Sequence, residues 1–193
     1  MGAQGQSWDD LRRFVVTQRF TMMVNRYEIR ALTAGGAEGP VLAVAQQKRM
    51  AFKDQVTFYA DDARTIPVFS FRARQAIDLG ATYDVLGADG TPIGLFRKDF
   101  AASLLRSTWH LEAGAVSAVG QERNVLVAIL RRVTDAIPLA VHIDFTDPQG
   151  RPVMSSVRTW GLRDRYVIEV PDARLDGRVA AAMAVALDAL QGR

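Results

Sequence analysis

The sequence predicts a mainly β fold: one closed, twelve-stranded antiparallel barrel around a buried hydrophobic C-terminal helix, with one amphipathic helix inserted between two strands. Three observations point there. Most of the 193 residues fall into short runs rich in β-branched and aromatic side chains, broken by Gly, Asp and Pro. One segment near the C-terminus, Val179 to Leu187, is apolar at every position, and a helix apolar on all faces is either buried in protein or spans a membrane. So many strands in one sheet also need closure to remove their edges.

Residues 1–13 read as an N-terminal tail, and the barrel domain is expected over 14–193. The tail has no apolar stretch of the kind a signal peptide needs. Gln6 stands where a myristoylation signal wants Ser or Thr. Strands are predicted at Phe14 to Phe20, Arg26 to Leu32, Val41 to Lys48, Gln55 to Tyr59, Ile66 to Ala73 and Thr82 to Leu86. Six more follow at Pro92 to Lys98, Ser107 to Leu111, Ala115 to Gly120, Ala140 to Phe145, Pro152 to Arg158 and Arg165 to Val170. Tyr27, Ile29 and Ala31 alternate onto one face of the second strand. Gly35, Gly36, Gly39 and Pro40 mark the turn into the third. Asp89-Gly90 sits where a tight hairpin wants positive φ, and Asp147-Pro148-Gln149-Gly150 reads as a second turn.

Two segments depart from strand periodicity. About residues 122–134, from Glu122 to Thr134, Val125, Leu126, Ile129, Leu130 and Val133 fall at helical spacing, with Arg123, Arg131 and Arg132 mostly opposite. About residues 177–190 form the apolar helix, with Asp176 as its N-cap. At about 20 Å this helix is shorter than a ~30 Å hydrocarbon core, so protein is expected to surround it. Its alanines make it thin enough for a ring of strands to enclose.

Composition excludes several classes. With no cysteine, disulfides, thiolate metal sites and cysteine nucleophiles are absent. The net charge is +3 and the pI about 9.6. Arg far outnumbers Lys, as GC-rich genomes produce, or as recognition of phosphate or carboxylate favours. That basic excess is small for a nucleic-acid binder, and no nucleic-acid partner is expected. No apolar run reaches the ~18–20 residues of a membrane span. His142 and Asp144 share a strand face, and a catalytic or metal pair there competes with an ordinary barrel histidine. No nucleophile elbow, phosphate loop, dinucleotide fingerprint or zinc-protease motif occurs. The paired acids Asp9-Asp10 and Asp61-Asp62 read as solvated turn charges. No enzyme activity, cofactor or metal is expected.

In an up-and-down barrel every second connection lies at the same end. Four connections would then gather at one mouth with a shared pattern of apolar residues between bases. They are Phe20 to Asn25 between Arg19 and Arg26, and Met50 to Phe52 between Arg49 and Lys53. Phe100 with Leu104 and Leu105 lies between Lys98 and Arg106, and Trp160 with Leu162 between Arg158 and Arg163. The candidate contact residues are Arg19, Arg26, Lys48, Arg49, Phe52, Lys53, Lys98, Arg106 and Arg163. Such tips suit an anionic membrane interface. They suit a protein partner equally well, and they would also serve to plug the barrel end.

The residues Val16-Thr-Gln-Arg-Phe20 with Asn25-Arg-Tyr-Glu-Ile29 resemble the opening of LURP-one-related proteins. Asp89-Gly-Thr-Pro-Ile-Gly-Leu-Phe-Arg-Lys98, Trp160-Gly-Leu-Arg-Asp-Arg-Tyr166 and the Ala-rich terminal helix extend the resemblance over about residues 14–191. These proteins belong to the Tubby C-terminal-like group, which also holds the phospholipid scramblases. The resemblance implies a twelve-stranded barrel around a hydrophobic helix. For function it implies little beyond analogy with the Tubby branch, which is similar in fold and binds phosphoinositides; the acidic calcium-binding segment of scramblases is missing here. Taken with the loop pattern and the absence of cysteine, a bacterial, cytoplasmic protein that touches anionic phospholipid peripherally is expected. The alternative is a scaffold that binds another protein and has no lipid role.

Overall fold

The computed structural model describes residues 7–20, 24–48, 55–74, 82–99, 108–123, 142–159 and 164–191. The strands are β1 (Arg13–Phe20), β2 (Val24–Leu32), β3 (Glu38–Lys48), β4 (Gln55–Tyr59), β5 (Pro67–Ala73) and β6 (Thr82–Gly87). They continue as β7 (Pro92–Asp99), β8 (Thr108–Ala113), β9 (Val116–Glu122), β10 (His142–Thr146), β11 (Pro152–Thr159) and β12 (Arg165–Glu169). Each pairs antiparallel with its chain neighbours, and β1 closes on β12. The expected barrel is therefore present, and its connections alternate between two mouths.

One mouth carries tight turns made by acidic side chains. In the β6–β7 turn Asp89 accepts from the Thr91 N–H (3.0 Å) and hydroxyl (2.8 Å), and Gly90 takes the positive φ of 81°. In the β10–β11 turn Asp147 accepts from the Gln149 and Arg151 N–H groups, both at 2.9 Å. The β2–β3 turn differs from the expectation. Gly39 and Pro40 belong to β3, which starts at Glu38, because irregular register opposite Arg30 leaves room for a residue without an N–H.

The helix α1 (Gly177–Gln191) enters at this same mouth. Asp176 caps it as expected, its carboxylate accepting from the Arg178 N–H at 2.8 Å. Val179 to Ala186 are wholly buried and Leu187 is nearly so. Barrels of about eight strands fill with side chains and those of sixteen leave a channel; twelve strands enclose a bore that this thin helix fills. Gly94 on β7 lets it approach, since a Cβ there would lie 2.9 Å from a Val179 methyl. Phe58 stacks on Phe69 with centroids 4.2 Å apart, and Phe96 contacts Phe71 and Tyr83, completing the aromatic side of the core.

The stretch before β1 does not behave as a tail at residues 7–12. Trp8–Asp10 form a 3₁₀ turn, Trp8 packs edge-on against Phe69 at 5.2 Å, and Leu11 is fully buried. Arg12 donates to the Leu175 carbonyl and bonds the Ala173 carbonyl at 3.1 Å, tying this stretch to the linker before α1.

Glu122, expected to begin the inserted helix, is instead the last residue of β9. It pairs with Ile143, and the strand's alternation turns it inward, where it is buried. The remainder of that expected helix, beyond Arg123, lies outside the described residues. No helix among the described residues is long and apolar enough to cross a membrane.

Candidate functional site

The second mouth is defined by the strand ends that flank 21–23, 49–54, 75–81, 100–107, 124–141 and 160–163. Of the nine candidate contact residues, Arg49, Phe52, Lys53, Arg106 and Arg163 lie outside the described residues. Lys48 ends β3 opposite Val24, and its side chain is likewise outside them. Arg19 and Arg26 are directly opposite each other on β1 and β2 and are exposed on the outer wall. Arg19 pairs with Glu28 at 3.2 Å.

Lys98 is not on that wall. It alternates with the buried Phe96 and sits opposite the buried Trp109, so it faces into the barrel. Its Nζ lies 5.5 Å from the centre of the Trp109 ring, a cation–π contact. Strand β7 is also six strands from β1 around the barrel, on the far side. The structure brings Arg19, Arg26 and the Lys48 position together and separates Lys98 from them.

Below the same mouth lies a polar cluster that sequence reading missed. The α1 C-terminus delivers Asp188 between two inward tyrosines of β2 and β12. The Tyr27 hydroxyl donates to Asp188 Oδ2 at 2.9 Å, and the Tyr166 hydroxyl donates to Oδ1. Gln18 Nε2 donates to the Tyr27 oxygen at 3.3 Å. Arg158 pairs with Asp164 and lies 6.0 Å from the Tyr166 ring centre. Burial pushes the Asp188 carboxyl above the usual carboxylate range, against the opposing pull of the two tyrosine hydrogen bonds. Burial first, and then the Asp188 charge, raises both tyrosines. The sequence signal was a single acid closing an otherwise apolar run.

His142 and Asp144 do meet, at 3.1 Å. Asp144 is also held by the Arg123 guanidinium through bonds of 2.6 and 3.0 Å. No group of three or more potential metal ligands occurs among the described residues. The pair lies half-buried on the outer face of β10, with Asp144 held by Arg123.

No curated protein and no solved structure matches the chain. The family model described as LURP-one-related matches residues 41–188, from β3 through α1. The N-terminal likeness at residues 16–29 falls outside that match, while the β6–β7 hairpin, the segment from Trp160 to Tyr166 and nearly all of α1 fall within it. On this match, and with a closed barrel wound around its own terminal helix, the chain belongs to the LURP-one-related family.

Proposed function

We propose that this protein is a non-enzymatic domain that docks peripherally on an anionic phospholipid surface through the second barrel mouth. One observation carries the reading. The segments with apolar residues between bases, from Phe20–Asn25 to Trp160–Leu162, all join strand ends that open on one side. Lys98 faces the barrel interior and Arg158 is paired with Asp164, but the remaining bases around the apolar tips are attracted by anionic headgroups, with a further gain from burying the tips among them. Membership of a family with a Tubby-like barrel supports the same reading by analogy of fold.

Co-sedimentation with vesicles of graded phosphatidylglycerol content tests it. Binding is expected to rise with anionic lipid and to weaken with salt, as the screening length shortens from about 30 Å at 0.01 M to about 8 Å at 0.15 M. Replacing Arg49, Phe52 and Lys53 together by Ala is expected to reduce it. Absence of binding at low salt, or binding indifferent to the triple substitution, refutes the reading.

A further inference from the structure

The outer wall of β1–β3 breaks two local rules at one place. Arg19 and Arg26 are directly opposite across β1 and β2, where like charges repel. Arg64, in the β4–β5 turn, holds a left-handed backbone with φ 60°, a conformation that a residue with a Cβ seldom adopts. Both features line one cleft of about 260 Å³, together with Arg30, Glu28 and Asp62. Four arginines and two acidic residues thus line it.

The ion pairs do not use up this charge. Glu28 serves both Arg19 and Arg30. The side chains of Arg26 and Arg64 are exposed and have no hydrogen bond or ion pair among the described residues. Asp61 is what fixes Arg64. Its carboxylate accepts from the Thr65 N–H and the Ile66 N–H, both at 2.9 Å, and from the Thr65 hydroxyl at 2.8 Å. Its carbonyl accepts from the Arg64 N–H at 3.1 Å. The turn therefore holds an unfavourable backbone conformation and gains no packing for the side chain it presents. Unrelieved strain beside unrelieved like charge marks a surface arranged for a counter-ion.

We propose that this cleft binds a phosphate-bearing anion, with Arg26 and Arg64 supplying free guanidinium forks and Arg19 and Arg30 flanking charge. A phosphomonoester matches the forks and offsets the surplus of two positive charges. The cleft is smaller than the roughly 300–1,000 Å³ of most small-molecule sites, which suits a compact charged group. The phosphate is borne by a lipid headgroup or is free in solution; only in the lipid case does the site rest on the membrane reading above.

The test uses the intact chain and the variants Arg26→Ala and Arg64→Gly, with Arg97→Ala on the far side of the barrel as control. Pyrophosphate binding is followed by calorimetry at low salt. Vesicles containing phosphatidic acid, a phosphomonoester, are compared with phosphatidylglycerol vesicles of equal surface charge. Pyrophosphate is expected to bind, and each cleft variant to weaken it about tenfold or more, while Arg97→Ala leaves it unchanged. Arg64→Gly is expected to melt no lower than the parent, since glycine relieves the φ of 60°, so lost binding there is not lost folding. Preference for phosphatidic acid that disappears in the cleft variants supports the lipid source. Pyrophosphate binding without vesicle binding supports a free phosphate, keeps the site and removes the membrane reading. No pyrophosphate binding by the parent chain overturns the site, as does binding that the cleft variants leave intact or that Arg97→Ala weakens equally. The membrane reading is then decided by the Arg49, Phe52 and Lys53 substitutions alone.

Discussion

Asp188 sits where two effects disfavour its charge. It is half-buried beside the tyrosines, and it lies near the C-terminus of α1, where the helix dipole is negative. Tyr27 and Tyr166 oppose this by donating to both carboxylate oxygens. Because the folded-state pKa is raised, the native chain holds this proton more firmly than the unfolded chain does. Its contribution to stability is then full below the ordinary carboxylate pKa and is lost as pH rises through the raised value. Chemical unfolding of the parent and of Asp188→Asn from about pH 4 to about pH 8 is expected to show the parent losing stability relative to the variant. A pH-independent difference would mean that the carboxyl is not perturbed. Tyr27→Phe removes one donor from a half-buried carboxyl and is expected to cost about 1 kcal/mol or more. Because that hydrogen bond lowers the Asp188 pKa, its loss also moves the pH window upward.

Among the elements, α1 and the strand wall constrain each other most tightly. Ala180, Ala181, Ala182, Ala184 and Ala186 are all without exposed surface, so every face of the helix meets the wall. Ala182→Leu inserts volume that a closed ring of strands cannot yield to, and is expected to destabilise by about 1–3 kcal/mol or more, read from the urea midpoint. Gly94→Val acts from the other side, where an added Cβ would meet the Glu112 carbonyl at 2.8 Å and Val179 at 2.9 Å. The ring is not uniform. Among the described residues, β3 and β4 pair only at Val44–Tyr59 and Ala45–Phe58, whereas β1 and β2 share seven pairs. Amide exchange in β4 is therefore expected to be faster than in β1 and β2, because local opening follows the fewest hydrogen bonds. Equal protection in the two regions would show that the seam opens only with the whole domain.

For the molecule as a whole, the helix is the last element of the chain and the centre of the core. The inner faces of all twelve strands join one apolar cluster with it. Ending the chain before Asp176 leaves those faces lining an open bore, and no cooperative unfolding transition is expected. A truncated chain that remained folded and monomeric would show that the wall closes without its centre. The two mouths also divide the work. The turn mouth is closed by Trp8, Leu11 and the α1 N-terminus. The other mouth holds Asp188 and its tyrosines, so polar groups accumulate at the end where the basic, apolar segments attach.

The sequence by itself determined the elements whose causes are local. Period-two alternation marked Tyr27, Ile29 and Ala31 as inward, and Asp89-Gly90 and Asp147 to Gly150 carried their own turn-forming acceptors and positive-φ glycines. The length and Ala content of α1 identified it as core, because those properties concern one helix against a bilayer or a wall. What only the tertiary structure decided is which residues face one another across the ring. Lys98 turned inward because Phe96 and Trp109 fix the parity of its strand end. Glu122 stayed in β9 because it pairs with Ile143 of β10. Tyr27 meets Asp188 across 161 residues of chain, and Arg64 reaches the wall that carries Arg19 and Arg26. Alternation assigns each side chain a face, but register, bulges and ring closure assign its neighbours. Those are set by non-local pairing that no single segment encodes.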